Sequence, residues 1–102
     1  MSVIDFNSLD SMVHGPIRLG ILTALQMDNA LDFTTIKKRL KVSDGSLGLH
    51  LQKLKDIKYI TCKKSFVGRR PKSVYQLTPA GRKALSEYLN SMSLLINSLE
   101  NK

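Results

Sequence analysis

The 102-residue sequence predicts a mainly α domain with one small β-hairpin (an α+β fold), in the order helix, helix, helix, hairpin, helix. Three observations lead there. Apolar residues recur at helical spacing over most of the chain. The period switches to alternation only between Ile60 and Leu77. Thr78-Pro79 then restores a helix start, with threonine as cap and proline at a position whose N–H would have no partner.

Residues 5–13 are weakly helical, with Phe6, Leu9, Met12 and Val13 on one face, and His14-Gly15 interrupts them. Pro16 opens a helix to about Met27 that turns Ile17, Ile21, Leu22 and Leu25 inward. Asp28-Asn29 reads as a turn and Ala30–Asp32 as a very short strand. Thr34–Leu40 forms a short helix with Ile36 and Leu40 inward and Lys37, Lys38 and Arg39 outward. Lys41-Val42-Ser43 is a tight connection, and Ser43 caps the next helix, Asp44 to about Asp56. Ile60 and Cys62 alternate with Thr61 and Lys63; Gly68 begins a polar turn that Pro71 closes; Ser73–Leu77 alternates again. The last helix runs from Pro79 to about Leu99. The expected organisation is one domain over 1–102: an arm at 1–15, a helix pair at 34–56, a hairpin at 60–77 and a terminal helix at 79–99.

Charge is concentrated rather than spread. The net charge is +8, yet residues 1–36 hold one basic residue against four acids. Residues 37–83 hold fourteen basic residues against two acids, a local excess of +12. A basic middle between near-neutral ends points to a polyanion-binding face. No apolar run approaches the roughly 18 residues of a membrane span. The first basic residue is Arg18, which argues against a signal peptide, and one cysteine, Cys62, fits a reducing compartment, so the expected location is cytoplasmic. His14, His50 and Cys62 lack ligand spacing, so no metal or other cofactor is expected. The chain has no glycine-rich phosphate loop and no defensible nucleophile–base pair, and an enzyme is not expected.

Two short helices joined by a three-residue turn suit a helix-turn-helix, whose second helix lies in the major groove of duplex DNA. At 100° per residue, Leu47, Leu51 and Leu54 fall within about 60° of one another as a core stripe. The opposite face carries Gly45, Leu49, Gln52 and Lys53, with Ser46 beside them. Gln52 suits an adenine edge, Lys53 a guanine or phosphate, and Leu49 a thymine methyl group. Gly45 and Gly48 lower helix propensity and allow close backbone approach. His50 flanks the core stripe, where packing and a phosphate contact are the two readings. The hairpin loop F-V-G-R-R-P-K-S (66–73) projects Arg69, Arg70 and Lys72, and Lys63 and Lys64 on the outgoing strand extend the patch. Such a basic wing suits the backbone and the narrow minor groove.

The run L-G-L-H-L-Q-K-L-K-D (47–56), then Y-I (59–60), then G-R-R-P-K-S-V-Y-Q-L-T-P-A-G-R (68–82), with H-G-P-I-R-L-G-I-L (14–22) before them, resembles small winged helix-turn-helix transcriptional regulators of the MarR/ArsR-like type. The likeness covers about residues 8–89. It implies a homodimer on duplex DNA, with the helix around Leu47–Leu54 in the major groove and the wing around Arg69 and Arg70 on the backbone or minor groove. Many relatives carry serine where this chain has Gly48, so a phosphate contact there falls to the backbone. The cysteine and histidine clusters of the metal-sensing members are missing, and no effector ligand is specified. A winged helix used for protein–protein contact, or an RNA binder, remains the alternative.

Leu85, Tyr88, Met92, Leu95 and Leu99 are spaced 3, 4, 3 and 4 apart as a heptad seam, widened by Leu89 and Ile96. The expected dimer interface is this seam together with Phe6, Leu9 and Met12, and a two-fold dimer calls for a palindromic site.

Overall fold

A computed structural model describes residues 9–101. Four helices and three strands follow the chain as α1 (Pro16–Asp28), β1 (Ala30–Asp32), α2 (Phe33–Leu40), α3 (Asp44–Asp56), β2 (Ile60–Val67), β3 (Arg70–Leu77) and α4 (Pro79–Glu100). The strands form one antiparallel sheet in the order β1-β3-β2. The hairpin is therefore not free-standing: Ala30, Leu31 and Asp32 pair with Gln76, Tyr75 and Val74, so β1 clamps its base.

Local chemistry sets each boundary. Asp32 ends β1 and caps α2, its carboxylate accepting from Thr35 N at 3.1 Å; this starts the helix one residue before the expected Thr34. Hydrogen bonds from Thr35, with a smaller contribution from Lys72, hold the Asp32 carboxyl below its usual range. Lys41 closes α2 in the left-handed region (φ 54°, ψ 49°), its N–H bonded to Lys37 O at 2.9 Å. That single residue reverses the chain between α2 and α3. Ser43 caps α3 by accepting from Ser46 N at 3.2 Å.

Thr78 both caps α4 and fastens it. Its Oγ1 accepts from Gly81 N at 3.0 Å and donates to Lys58 O at 2.6 Å, while its N–H donates to Tyr59 O at 3.0 Å. A Cβ on Gly81 would lie 2.0 Å from the Tyr59 carbonyl oxygen, so only glycine lets α4 dock there.

The core gathers Ile21, Leu22 and Leu25 of α1, Ile36 of α2, Leu47, Leu51 and Leu54 of α3, Ile60 of β2, and Ala84, Leu85 and Tyr88 of α4. Two expectations change here. Leu85 and Tyr88, read as dimer contacts, are 2% and 4% exposed and belong to the domain's own core. The period cannot distinguish a partner helix from the helix's own domain. Residues 9–13 form a turn, not a helix, and Val13 is fully buried with Leu9 packed beside it. Asp10 holds this turn by accepting from Met12 N at 2.8 Å and from the Tyr59 hydroxyl. That bond, burial and the negative charge of Asp10 push the Tyr59 hydroxyl up to about 12. Phe6 lies outside the described residues.

The body is small, and two elements leave it. The molecule measures 59 × 25 × 21 Å, with a radius of gyration of 15.6 Å, against about 13 Å for a compact domain of this length. The hairpin tip and the distal half of α4 account for the excess.

Candidate nucleic-acid interface

The two faces of α3 are chemically opposed. Leu47, Leu51 and Leu54 are buried, while Leu49 is 56% exposed and Gln52 and Lys53 point outward with it. A Cβ at Gly45 or Gly48 would meet nothing within 4 Å, so neither glycine is required by packing inside the chain. Gln52 donates through Nε2 to Asp56 Oδ1 at 2.8 Å, an exposed i,i+4 bond that leaves its Oε1 open. Lys37 and Asp44 pair at 2.7 Å, linking α2 to the first turn of α3; both side chains are exposed and the pair adds little stability.

His50 is half-buried and engaged. Arg18 Nη1 donates to His50 Nδ1 at 3.1 Å. Arginine has only donors, so Nδ1 must be the acceptor and the ring proton sits on Nε2. Burial, then the Arg18 charge, then Lys53, hold the imidazole below its ordinary pKa and keep it neutral. Arg18 Nη2 also donates to Ser11 O at 3.2 Å, so one guanidinium ties the N-terminal turn to α3. Sequence reasoning missed this role, although Arg18 is the sole base among the first 36 residues.

The wing is tighter and longer than the sequence suggests. Val67 pairs with Arg70, leaving Gly68-Arg69 as a two-residue loop, and Pro71 lies within β3 opposite Phe66 rather than closing a turn. Gly68 has φ 64°, as the first central residue of a II′ turn requires. Proline is tolerated at position 71 because β1 ends opposite Val74, leaving one flank of β3 open there. The register divides the basic residues between two faces: Lys63, Arg70 and Lys72 lie with Val67 on one, Lys64 with Phe66 on the other. Arg69 occupies the tip. Lys72 lies 4.0 Å from Asp32. Among the described residues, Lys63, Lys64, Arg69 and Arg70 make no ion pair, so their charge is open to a partner. Cys62 stands opposite Tyr75 on the inner side of the hairpin base.

On α4, Leu89, Leu94, Ile96 and Leu99 are exposed, and Met92 is half-buried against the core. Leu95 is half-exposed. Leu94 was not expected here; it lies off the seam, on the far side of the helix. Among the described residues no helix is long and apolar enough to cross a membrane, and no cluster of metal-ligating side chains occurs.

A helix-turn-helix followed by a β-hairpin wing, on a three-stranded sheet, defines a winged-helix protein of the transcriptional-regulator class. The chain belongs to the winged helix DNA-binding domain family, which matches residues 17–96. It is 31% identical over 84 residues to an uncharacterised protein of Methanocaldococcus jannaschii, a match covering 82% of this chain and 91% of that one. Among solved structures it is similar to a transcriptional regulator homologue from Pyrococcus horikoshii, with a TM-score of 0.80 and 27% identity over 86% of this chain and 87% of that one. It is also similar to PadR of Bacillus subtilis, solved in complex with operator DNA, with a TM-score of 0.63 and 25% identity over 69% of this chain and 44% of that one.

Proposed function

We propose that the protein is a dimeric transcriptional regulator that reads a palindromic site in duplex DNA, with no catalytic step of its own. The observation that carries this reading is the outer face of α3. It offers an exposed leucine, an amide, a lysine and two open glycines, none of them required by the core, in the most basic part of the chain. In this reading Ser46, Leu49, Gln52 and Lys53 meet the major groove, and the Gly48 backbone approaches it closely. His50, its Nδ1 taken by Arg18, offers Nε2–H to a phosphate. The wing residues Lys63, Lys64, Arg69, Arg70 and Lys72 contact the backbone and minor groove. PadR provides a precedent for operator binding by a related fold.

The dimer rests on α4. Its buried stripe at Leu85 and Tyr88 continues outward as Met92, Leu95 and Leu99, flanked by Leu89 and Ile96, and among the described residues Leu89, Ile96 and Leu99 are left exposed. A second α4 supplies the cover.

The test is the salt dependence of duplex binding. Two basic segments in a dimer neutralise roughly 6–10 phosphates, giving a log–log slope of roughly −5 to −9. A slope near zero, or no duplex binding at low salt, removes the DNA reading and favours a protein-contact role.

A further inference from the structure

The tip of the hairpin carries an apolar side chain that the fold does not use. Phe66 is 74% exposed and Val67 is 63% exposed, on opposite faces of the same strand. The reason is positional. Ile60 and Cys62 share the inward face of β2 with Phe66, but β1 supports the sheet only as far as Val74, opposite Lys63. At roughly 3.4 Å per residue, Phe66 stands about 10 Å beyond that support. Pro71, its cross-strand partner, is exposed too, so the pair forms a stiff apolar knob on one face of the wing.

The surroundings decide what this knob can meet. Lys64 on the same face and Arg69 at the tip flank it without ion partners among the described residues, and Arg70 adds open charge on the opposite face. A second copy of this wing would bring like charges together. A polyanion with apolar walls fits instead, and the minor groove of duplex DNA has them, lined by deoxyribose between its phosphates.

We propose that Phe66 is a DNA contact of the wing: with the flanking cations on the phosphates, its ring packs against the sugar walls of the minor groove. This rests on the duplex-binding reading above and adds to it an apolar contribution that salt does not screen. The wing then holds DNA by two separable means, cations whose effect fades with salt and a phenyl ring whose effect does not.

The experiment titrates wild type, Phe66→Ala, Phe66→Leu and Arg69→Ala against one duplex selected by the wild-type protein from a random pool, across a salt series. Phe66→Ala should weaken binding about tenfold at every salt concentration, giving a line parallel to wild type, because no phosphate contact is lost. Phe66→Leu should recover most of that loss. Arg69→Ala should instead make the slope shallower by about one. Affinity of Phe66→Ala within twofold of wild type overturns the inference while leaving duplex binding intact. So does a loss that changes the slope as Arg69→Ala does, or a Phe66→Ala protein that sediments as a monomer where the wild type is a dimer. If the wild type binds no duplex at all, the underlying reading fails rather than this addition to it.

Discussion

The two halves of α4 share one apolar period and have different surroundings. In the first half Gly81, Ala84, Leu85 and Tyr88 are buried against the body, with Tyr88 bonded to His14 Nδ1 at 2.8 Å. In the second half Leu89, Ile96 and Leu99 are exposed although the stripe continues without a break. Hydrophobic spacing encodes a need for cover and not the identity of the cover. Near the start of the helix the cover is α1 and the N-terminal turn; near its end the proposed cover is another subunit.

Paired truncations separate the two halves of α4 most sharply. Leu85→Ala should cost about 2–5 kcal/mol of subunit stability, because it opens a cavity among fully buried neighbours. Leu99→Ala should change it by less than about 0.5 kcal/mol at protein concentrations where the chain is monomeric. Denaturant melts at several concentrations measure both, since only a dimer contact makes the midpoint concentration-dependent. Equal costs for the two variants would mean that the distal half packs on its own domain.

A charge placed on the distal seam probes the same half directly. Leu95→Lys should give a folded, soluble monomer and weaken operator binding by more than tenfold, as each half-site loses the partner's contribution. Sedimentation and gel shift together report it; a wild type that is monomeric at tens of micromolar contradicts the account.

The contrast between a buried and an open face extends to α3, where the effects are smaller. Gln52→Ala should cost roughly 1–3 kcal/mol at its own base pair and relax selectivity there. Arg69→Ala combined with Arg70→Ala should weaken all duplexes alike. Binding-site selection with each variant distinguishes these outcomes, and unchanged selectivity for the Gln52 variant would reassign the reading face.

The smallest effect expected is that of His50, which lies in the body and should leave dimerisation untouched. Its folded pKa is lowered from 6.5, so the unfolded chain binds the proton first as pH falls. The stabilisation is present above about pH 6.5 and is lost as pH drops through the folded value. His50→Gln should flatten that part of the stability–pH curve. A curve that keeps its slope would place the titration elsewhere.

Much of this architecture is legible in the sequence where one strong local signal decides it. Ser43 before Asp44, Thr78 before Pro79, and the Leu47–Leu51–Leu54 stripe place α3 and α4 because caps and helical period act within a few residues. The signal failed where two local roles fall on one residue or where the deciding partner is remote. The role of Asp32 as a cap was hidden by its place at the end of a strand. Pro71 resembled a turn residue, because a proline's tolerance within a strand depends on whether a neighbouring strand is present. The engagement of Arg18 with His50 joins residues 32 apart in sequence, and nothing local announces it.

Local sequence is enough to place the four helices from α1 to α4, the change of period at the hairpin and the gathering of basic charge between residues 37 and 83, but not the turn at residues 9–13. These follow from backbone propensity, capping and composition, which need no knowledge of distant neighbours. Only the tertiary structure decided that β1 joins the hairpin, that Leu85 and Tyr88 are core, and that Phe66 is left without support. Each of these depends on how far one element reaches alongside another. Burial is a property of that reach, and one face of a helix or strand can pass from core to solvent along its length while the pattern of residues stays the same.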